Sequence, residues 1–565
     1  MRREAAVSVP GKTELQRLVN RSRLIGADPT LVVHGGGNTS SKIVETDHLG
    51  RERVVLRVKG SGTDLKTIGA DGFPGLFLDE LLPLRERAAM TDEEMVAYLA
   101  HCMVEPGSRR PSIETLLHAF LPARHVDHVH ADAICALTNT PDAERHVREA
   151  LGPDVALVPY IRPGFDLSRQ VADLAGARAV VLDKHGLVTW GDSHEESYGT
   201  TLDLVARAEA YLTERERHHE AYAPDLDAAT TEALLLELRG LLSRDGARVL
   251  IVDRGQRALA DRADVDLVAT SARATPDHVL RIGARSLVVR DAEAVAEAVG
   301  AFEEQYRAYF ARHRHRLPDG MGMLSPLPRV VLVPGLGCIA AGADARTARV
   351  NAEIAARSHL VTARVLDAFG ETAWLNEQDV FDFDYWPLEL AKLKSAPPPR
   401  DFSGQVAIVT GAESALGAAV ADRLAQDGAH LVLAGGAAAE LDRVAASVVG
   451  PAVRVVGDDP VGVAIAEFGG VDVLVAVAPV SRDDLTRFER ALERQGTTGA
   501  LVGVVDEPGQ TVDLDGEAVR GARANLVHME PTASPDAVAE AIAFLASPRS
   551  HSVDRATIPV GAAPP

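Results

Sequence analysis

Short apolar runs alternate with glycine- and proline-rich turns along most of the chain, the spacing of alternating helices and strands. Within residues 11–224, Val54-Val55-Leu56-Arg57-Val58 predicts a strand, and Leu31-Val32-Val33-His34 predicts another that leads into three glycines. Between Ser112 and Asp132 the period changes. A short helix opened by Glu114 must stop at Pro122, because proline has no amide to donate and clashes with the preceding turn. His125-Val126-Asp127-His128-Val129-His130 then alternates polar and apolar residues, which predicts a half-buried strand. Ala179-Val180-Val181-Leu182-Asp183-Lys184-His185-Gly186 reads as a further strand, and residues 195–217 carry apolar positions at helical spacing before a charged, solvated tail.

The alternation at 125–130 has a chemical consequence. Residues two apart on a strand project from one face, so His128 and His130 can aim at a single point. A catalytic metal site with an open position needs a third ligand, for which His185 is the candidate, with Glu114 as a base beside the ion. Glycines at 35–37 and the Gly60-Ser61-Gly62 turn allow close approach of the backbone to an anion.

Residues 225–394 predict a second α/β segment, with a helix over Thr231–Leu242 and strands at Val249–Val252 and Arg329–Pro334. Residues 395–400 contain three consecutive prolines and predict a stiff spacer. From 401 to 565 the pattern restarts. A buried strand Gln405–Val409 runs into Thr410-Gly411 and Gly417, and a helix follows to Gln426, the opening of a dinucleotide-binding fold.

Composition narrows the class. The 565 residues are 46% hydrophobic and 25% charged, values of a globular protein of several domains. A net charge of -22 argues against nucleic acid, which requires a basic face. Three scattered cysteines suit a reducing compartment. Neither a signal-peptide core nor a membrane-spanning run is evident, so a cytoplasmic protein without a membrane partner is expected.

The stretches HGGGNTSSK at 34–42, VKGSGTDL at 58–65, PSIETLLHAF, HVDHVHADA and LDKHGLVTWG occur in the order of the class II aldolase/adducin family, which this part of the chain resembles. The resemblance implies an α/β domain over 1–224 with one zinc ion held by His128, His130 and His185, and Glu114 as base. It further implies that Asn38, Ser61, Gly62 and Ser112 hold a substrate phosphate, although Ile113 stands where some members carry a second hydroxyl. The family's aldolases cleave small sugar phosphates, here a ketose 1-phosphate of the rhamnulose type, and assemble as tetramers, so a homo-oligomer is expected. Their alkoxide is protonated by a tyrosine; residues 142–151 have none, and Tyr160 is the nearest substitute.

TPDHVLR at 275–281, VVLVPGLG at 330–337 and FDYWPLELAKL at 383–393 resemble long-form relatives in which the aldolase is fused to a short-chain dehydrogenase. Asp277 and His278 either reach toward the aldolase pocket or pin a loop there, and the loop is the expectation. The last segment resembles a truncated Rossmann-like short-chain dehydrogenase domain, with Thr410, Gly411 and Gly417 as vestigial cofactor-binding residues and Ala415 in place of the middle glycine. That family relies on a tyrosine and a lysine four residues apart. The last tyrosine here is Tyr385 and the last lysine Lys394, so no such pair follows the spacer. Leu431–Gly436 also ends without a residue to read the ribose, which predicts at most a weak NAD(P) site with little preference between NAD and NADP. Three readings compete: a zinc aldolase with an inactive dehydrogenase domain, a bifunctional aldolase and NAD-dependent aldehyde dehydrogenase, and a zinc epimerase or dehydratase. An adducin-like structural role is opposed by the complete ligand set.

Overall fold

The computed structural model describes residues 8–217, 222–270, 273–388, 390, 398–456, 459–505 and 520–561. By internal packing the chain forms two compact units. The first comprises 1–220, 266–285 and 353–394, and the second 221–265, 286–352 and 395–565.

The first unit is built on a mixed sheet of seven strands: β1 (Asn38–Thr46), β2 (Glu52–Val58), β3 (Gly75–Phe77), β4 (His125–Val129), β5 (Val155–Val158), β6 (Ala179–Leu182) and β7 (Gly186–Gly191). Their spatial order is β3-β2-β1-β4-β7-β6-β5, antiparallel except between β5 and β6. The half-buried strand expected at 125–130 is instead the central one, and all five residues of β4 are buried. Its two apolar side chains explain why: Val126 and Val129 belong to different core clusters, so the sheet is covered on both faces. Polar residues in β4 are therefore desolvated, and each must find a partner inside the protein.

Two further expectations are corrected. Leu31–His34 is not a strand: the carbonyl of Asp28 accepts from the amides of Leu31 and Val32, curling the chain into turns while both side chains remain buried. His185 likewise lies outside a strand. β6 ends at Leu182, the left-handed Lys184 (φ 54°) reverses the chain, and the His185 amide donates to the Leu182 carbonyl at 3.1 Å. His185 thus stands on the hairpin turn between β6 and β7. The residues expected to pin a loop, Asp277 and His278, lie in the helix Pro276–Ile282.

In the second unit, β8 (Val249–Asp253), β9 (Leu287–Val288), β10 (Val330–Val333) and β11 (Gly337–Gly342) form a small sheet of order β8-β11-β10-β9. A parallel seven-stranded sheet follows from β12 (Val406–Thr410), β13 (His430–Gly435), β14 (Ala452–Val456), β15 (Val473–Ala476), β16 (Gly499–Val505), β17 (Ala522–Met529) and β18 (Thr557–Val560). Its order, β14-β13-β12-β15-β16-β17-β18, is the doubly wound arrangement with the switch point beside β12.

One hydrophobic cluster joins these two sheets. Leu234, Leu238 and Val249 pack in it with Val406, Phe468, Leu474 and Leu492. Arg239, 2% exposed, crosses the same seam to make a two-pronged ion pair with Asp472, at 3.0 and 2.6 Å. Of the expected proline spacer, residues 395–397 lie outside the described residues. Among the described residues no helix is long and apolar enough to cross a membrane.

Candidate active site

The site is assembled by register. Pairing of β1 with β4 sets Asn38 opposite His128, and pairing of β4 with β7 sets Val129 opposite Leu187, which brings the hairpin turn carrying His185 over the end of β4. The Nε2 atoms of His128 and His130 are then 3.0 Å apart, and those of His128 and His185 3.3 Å apart. His128 donates from Nδ1 to the Leu187 carbonyl at 3.1 Å, and His130 from Nδ1 to Asp277 Oδ1 at 3.0 Å, so the neutral form of each ring turns a bare Nε2 inward.

Converging lone pairs repel unless something positive lies between them. Nitrogen ligands about 2.0–2.1 Å from a tetrahedral ion are about 3.3 Å from one another. The spacing of the three nitrogens therefore suits a divalent cation. Burial pushes the imidazoles of His128 and His185 down, the latter to about 3, so they are neutral and fit to coordinate. Burial also opposes the charged form of His130, but Asp277 outweighs it and raises that ring.

Glu114 sits at the start of the helix Thr115–Phe120, 3.5 Å from His128 Nε2 and 3.8 Å from His185 Nε2. Burial pushes its carboxyl up, and the hydrogen bond from Asn38 opposes that. Asn38 donates its amide to Glu114 Oε2 at 2.7 Å, while Glu114 Oε1 is buried with no hydrogen-bond partner. The amide is oriented in turn: Asn38 Oδ1 accepts from His118 Nε2, and His118 Nδ1 bonds Ser40 Oγ at 2.7 Å. His118 is buried, and desolvation pushes its imidazole down to about 3.

The cleft outside these groups is lined by Gly36, Gly37, Asn38, Ser61, Gly62, Ser112 and Ile113 on one side, and by Leu280, Phe383 and Trp386 among others. Gly37 has φ 56°, and a Cβ there would meet the His128 carbonyl at 2.5 Å, so only glycine permits this approach. Lys59, also in the lining, donates Nζ to the carbonyls of Gly35 and Gly37 at 2.6 and 2.8 Å and so holds the glycine turn. Ser112 Oγ accepts from the Glu114 amide at 3.2 Å. Trp386 is fixed by donation from Nε1 to Asp92 Oδ2 at 2.7 Å, with Arg162 over its ring.

The structure brings together Asn38, Ser61, Gly62, Ser112, Glu114, His130 and His185 at the cleft, with His128 behind them. It does not bring Tyr160 there. Pro163, three residues on, lines the cleft, whereas the Tyr160 phenol is pushed up by burial and by the charge of Asp379. His118 was not singled out by the sequence, and Asp277, for which a loop was expected over a reach toward the pocket, is at the pocket. The signal for His118 was its place four residues after Glu114 on the same helix face.

A second group, Glu14, His125 and His194, also converges. It suits an ion poorly: Arg21 donates from Nη1 to His194 Nδ1 at 3.0 Å, so the neutral ring carries its proton on Nε2.

At the switch point of the parallel sheet, Thr410 Oγ1 donates to the Ala478 carbonyl at 2.8 Å, and Gly411 (φ 62°) leaves only 2.9 Å between a would-be Cβ and that of Ala478. Gly417 packs on the Gly411 carbonyl, and its amide is taken by Ser414 Oγ at 3.0 Å. Where a ribose-reading residue was missing after β13, the Glu413 carboxylate folds over Gly435 and accepts from the Gly436 amide at 3.0 Å.

Residues 16–212 match the class II aldolase and adducin N-terminal domain, and residues 229–393 the second domain of class II aldolases. The chain is 37% identical over 455 residues to "Uncharacterized oxidoreductase YuxG" of Bacillus subtilis (strain 168), a match covering 76% of this chain and 65% of that protein. Over an alignment of 93 residues, which covers 14% of this chain and 33% of the relative, it is 34% identical to "Dehydrogenase/reductase SDR family member 4" of Sus scrofa. Among solved structures, the N-terminal class II aldolase domain of a conserved protein from Thermoplasma acidophilum is 46% identical, covering 36% of this chain and 97% of that one, with a TM-score of 0.35. The chain thus carries two class II aldolase domains, over 16–212 and 229–393, fused to a Rossmann-like part similar to short-chain dehydrogenases.

Proposed function

We propose that the protein is a zinc-dependent carbon–carbon lyase that cleaves a ketose 1-phosphate of the rhamnulose type into dihydroxyacetone phosphate and an aldehyde. The observation that carries this reading is the convergence of three imidazoles, two with a fixed bare Nε2, beside the unpartnered buried oxygen of Glu114. A divalent ion bound there supplies Lewis-acid polarisation of the substrate's carbonyl and hydroxyl oxygens. The protein's own groups do the rest. Glu114, held by Asn38, takes the proton from the substrate hydroxyl as the carbon–carbon bond breaks and returns it to the carbon left on dihydroxyacetone phosphate. Ser61, the Gly62 amide and Ser112 receive the phosphate, and the glycine turn braced by Lys59 lets it approach the backbone. Leu280, Phe383 and Trp386 give the aldehyde end an apolar wall that excludes water.

An epimerase or dehydratase reaction at the same centre is the second reading, favoured by one observation: no tyrosine lines the cleft among the described residues. The Rossmann-like domain is proposed to carry out no hydride transfer, since its chain segment contains neither tyrosine nor lysine. Incubation of the protein with a panel of ketose 1-phosphates, with and without a chelator, tests the reading. Chelator-sensitive release of dihydroxyacetone phosphate is expected; a product of unchanged carbon skeleton would replace the lyase by the epimerase or dehydratase.

A further inference from the structure

We infer that Asp277 is a positioning residue of the metal centre, through which the second aldolase domain sets how tightly the first holds its ion. The inference rests on the metal-site reading above.

The three histidines are not equally secured. His128 is buried in the central strand and its ring is oriented by the Leu187 carbonyl of the adjoining hairpin. His130 lies one residue beyond the end of β4, where no ladder holds it. Its orientation comes from elsewhere in the sequence, the helix Pro276–Ile282, whose first turn carries Asp277. Asp277 Oδ1 is 3.0 Å from His130 Nδ1. Thr275 Oγ1 donates to the same oxygen at 2.9 Å and lies 3.4 Å from His130 Nδ1, so the carboxylate is itself held in place. Room for this approach is made by Gly36, where a Cβ would stand 2.7 Å from Asp277 Oδ2 and 3.1 Å from His130 Nδ1.

A carboxylate accepting from Nδ1–H does two things to a metal-binding imidazole. It fixes the tautomer that leaves Nε2 bare, and it makes that nitrogen more basic; loss of such a partner typically weakens metal binding about 10–100-fold. Residues 16–212, which contain all three histidines and Glu114, match one family domain, whereas Asp277 falls within 229–393, the other. The second domain therefore reaches the ion by way of one hydrogen bond.

Metal affinity, rather than turnover, reads this directly. The full-length protein is stripped of metal and titrated with zinc against a chelating dye, with cobalt absorption as a second report on ligand geometry. The wild type is expected to bind one ion and His130→Ala to lose it. Asp277→Ala should bind about 10–100-fold more weakly, and Asp277→Asn, which keeps an acceptor without the charge, should fall between. Thr275→Val, which leaves Asp277 in place but unbraced, is expected to weaken binding by only a few-fold, about 2–5. Equal melting temperatures of the metal-free proteins establish that the variants fold. Wild-type affinity and an unchanged cobalt spectrum in both Asp277 variants, while His130→Ala loses the ion, would overturn the role of Asp277 and leave the metal site standing. Absence of any ion from the wild type would instead overturn the metal reading, and this inference with it.

Discussion

Histidine in this protein works mostly as a neutral, buried hydrogen-bonding group. Desolvation holds His118 and His125 at about 3 and, with the nearby Arg21 charge, His194 at about 2. In an unfolded chain each titrates near 6.5. Between that value and the folded one the unfolded state binds more protons, so the stability these residues permit is complete above about pH 6.5 and is lost as pH falls below it. At pH 5.5 the cost is about 1 kcal/mol for each histidine. The urea midpoint of unfolding should therefore fall between pH 7 and pH 5.5, and replacing His125 by Gln should flatten that fall; a midpoint independent of pH over this range would mean the rings are already charged or exposed. Much of the site was legible at this scale. Glu114, His128, His130 and His185 were found because H-x-H on an extended chain and a later His-Gly follow from local sequence. Asn38 was read as a phosphate ligand; its donation to Glu114 was not foreseen. That partnership depends on the β1–β4 register, which no local pattern encodes.

At the scale of elements, sequence periodicity located several strands, among them β2, β4, β6, β8, β10 and β12, but misjudged where burial lay. β4 alternates because its polar residues have partners, not because one face meets water: Asp127 pairs with Arg21 at 3.0 Å, and Ser197 donates to it at 2.7 Å. A charge-bearing central strand carries the periodicity of an edge strand, which is why it was read as half-buried. His185 was read into a strand because the apolar run before it does not reveal the left-handed turn at Lys184. The helix Pro276–Ile282 was not read from the sequence, and the contact of Asp277 with His130 joins residues 147 positions apart, which no local pattern fixes.

At the scale of the whole molecule, the Rossmann-like domain shares its core with the small sheet of the second aldolase segment. Leu234, Leu238 and Val249 share apolar packing with Phe468 and Leu492, and Arg239 seals the seam by pairing with Asp472. A domain that has lost tyrosine and lysine can still be kept for this packing. Removing one member of a buried pair leaves the other charge unpaired, at a cost of about 3–5 kcal/mol. Arg239→Ala is accordingly expected to lower the melting temperature of the protein in a calorimetric scan; an unchanged scan would show that the two parts do not depend on each other. Separation at the proline-rich stretch 395–400 is expected to destabilise both pieces, since the shared cluster would be exposed. The sequence did mark that stretch as a boundary, and composition alone could not reveal that the apolar surfaces on either side of it meet.

The central claim is that a metal centre with Glu114 as its base performs the chemistry. The most direct test is turnover of the Glu114→Gln variant on the ketose 1-phosphate that the wild type cleaves, with metal content measured on the same sample. The account predicts about one ion per chain, as in the wild type, and turnover lower by roughly 100- to 10,000-fold. Wild-type turnover in a metal-replete Glu114→Gln protein would contradict it.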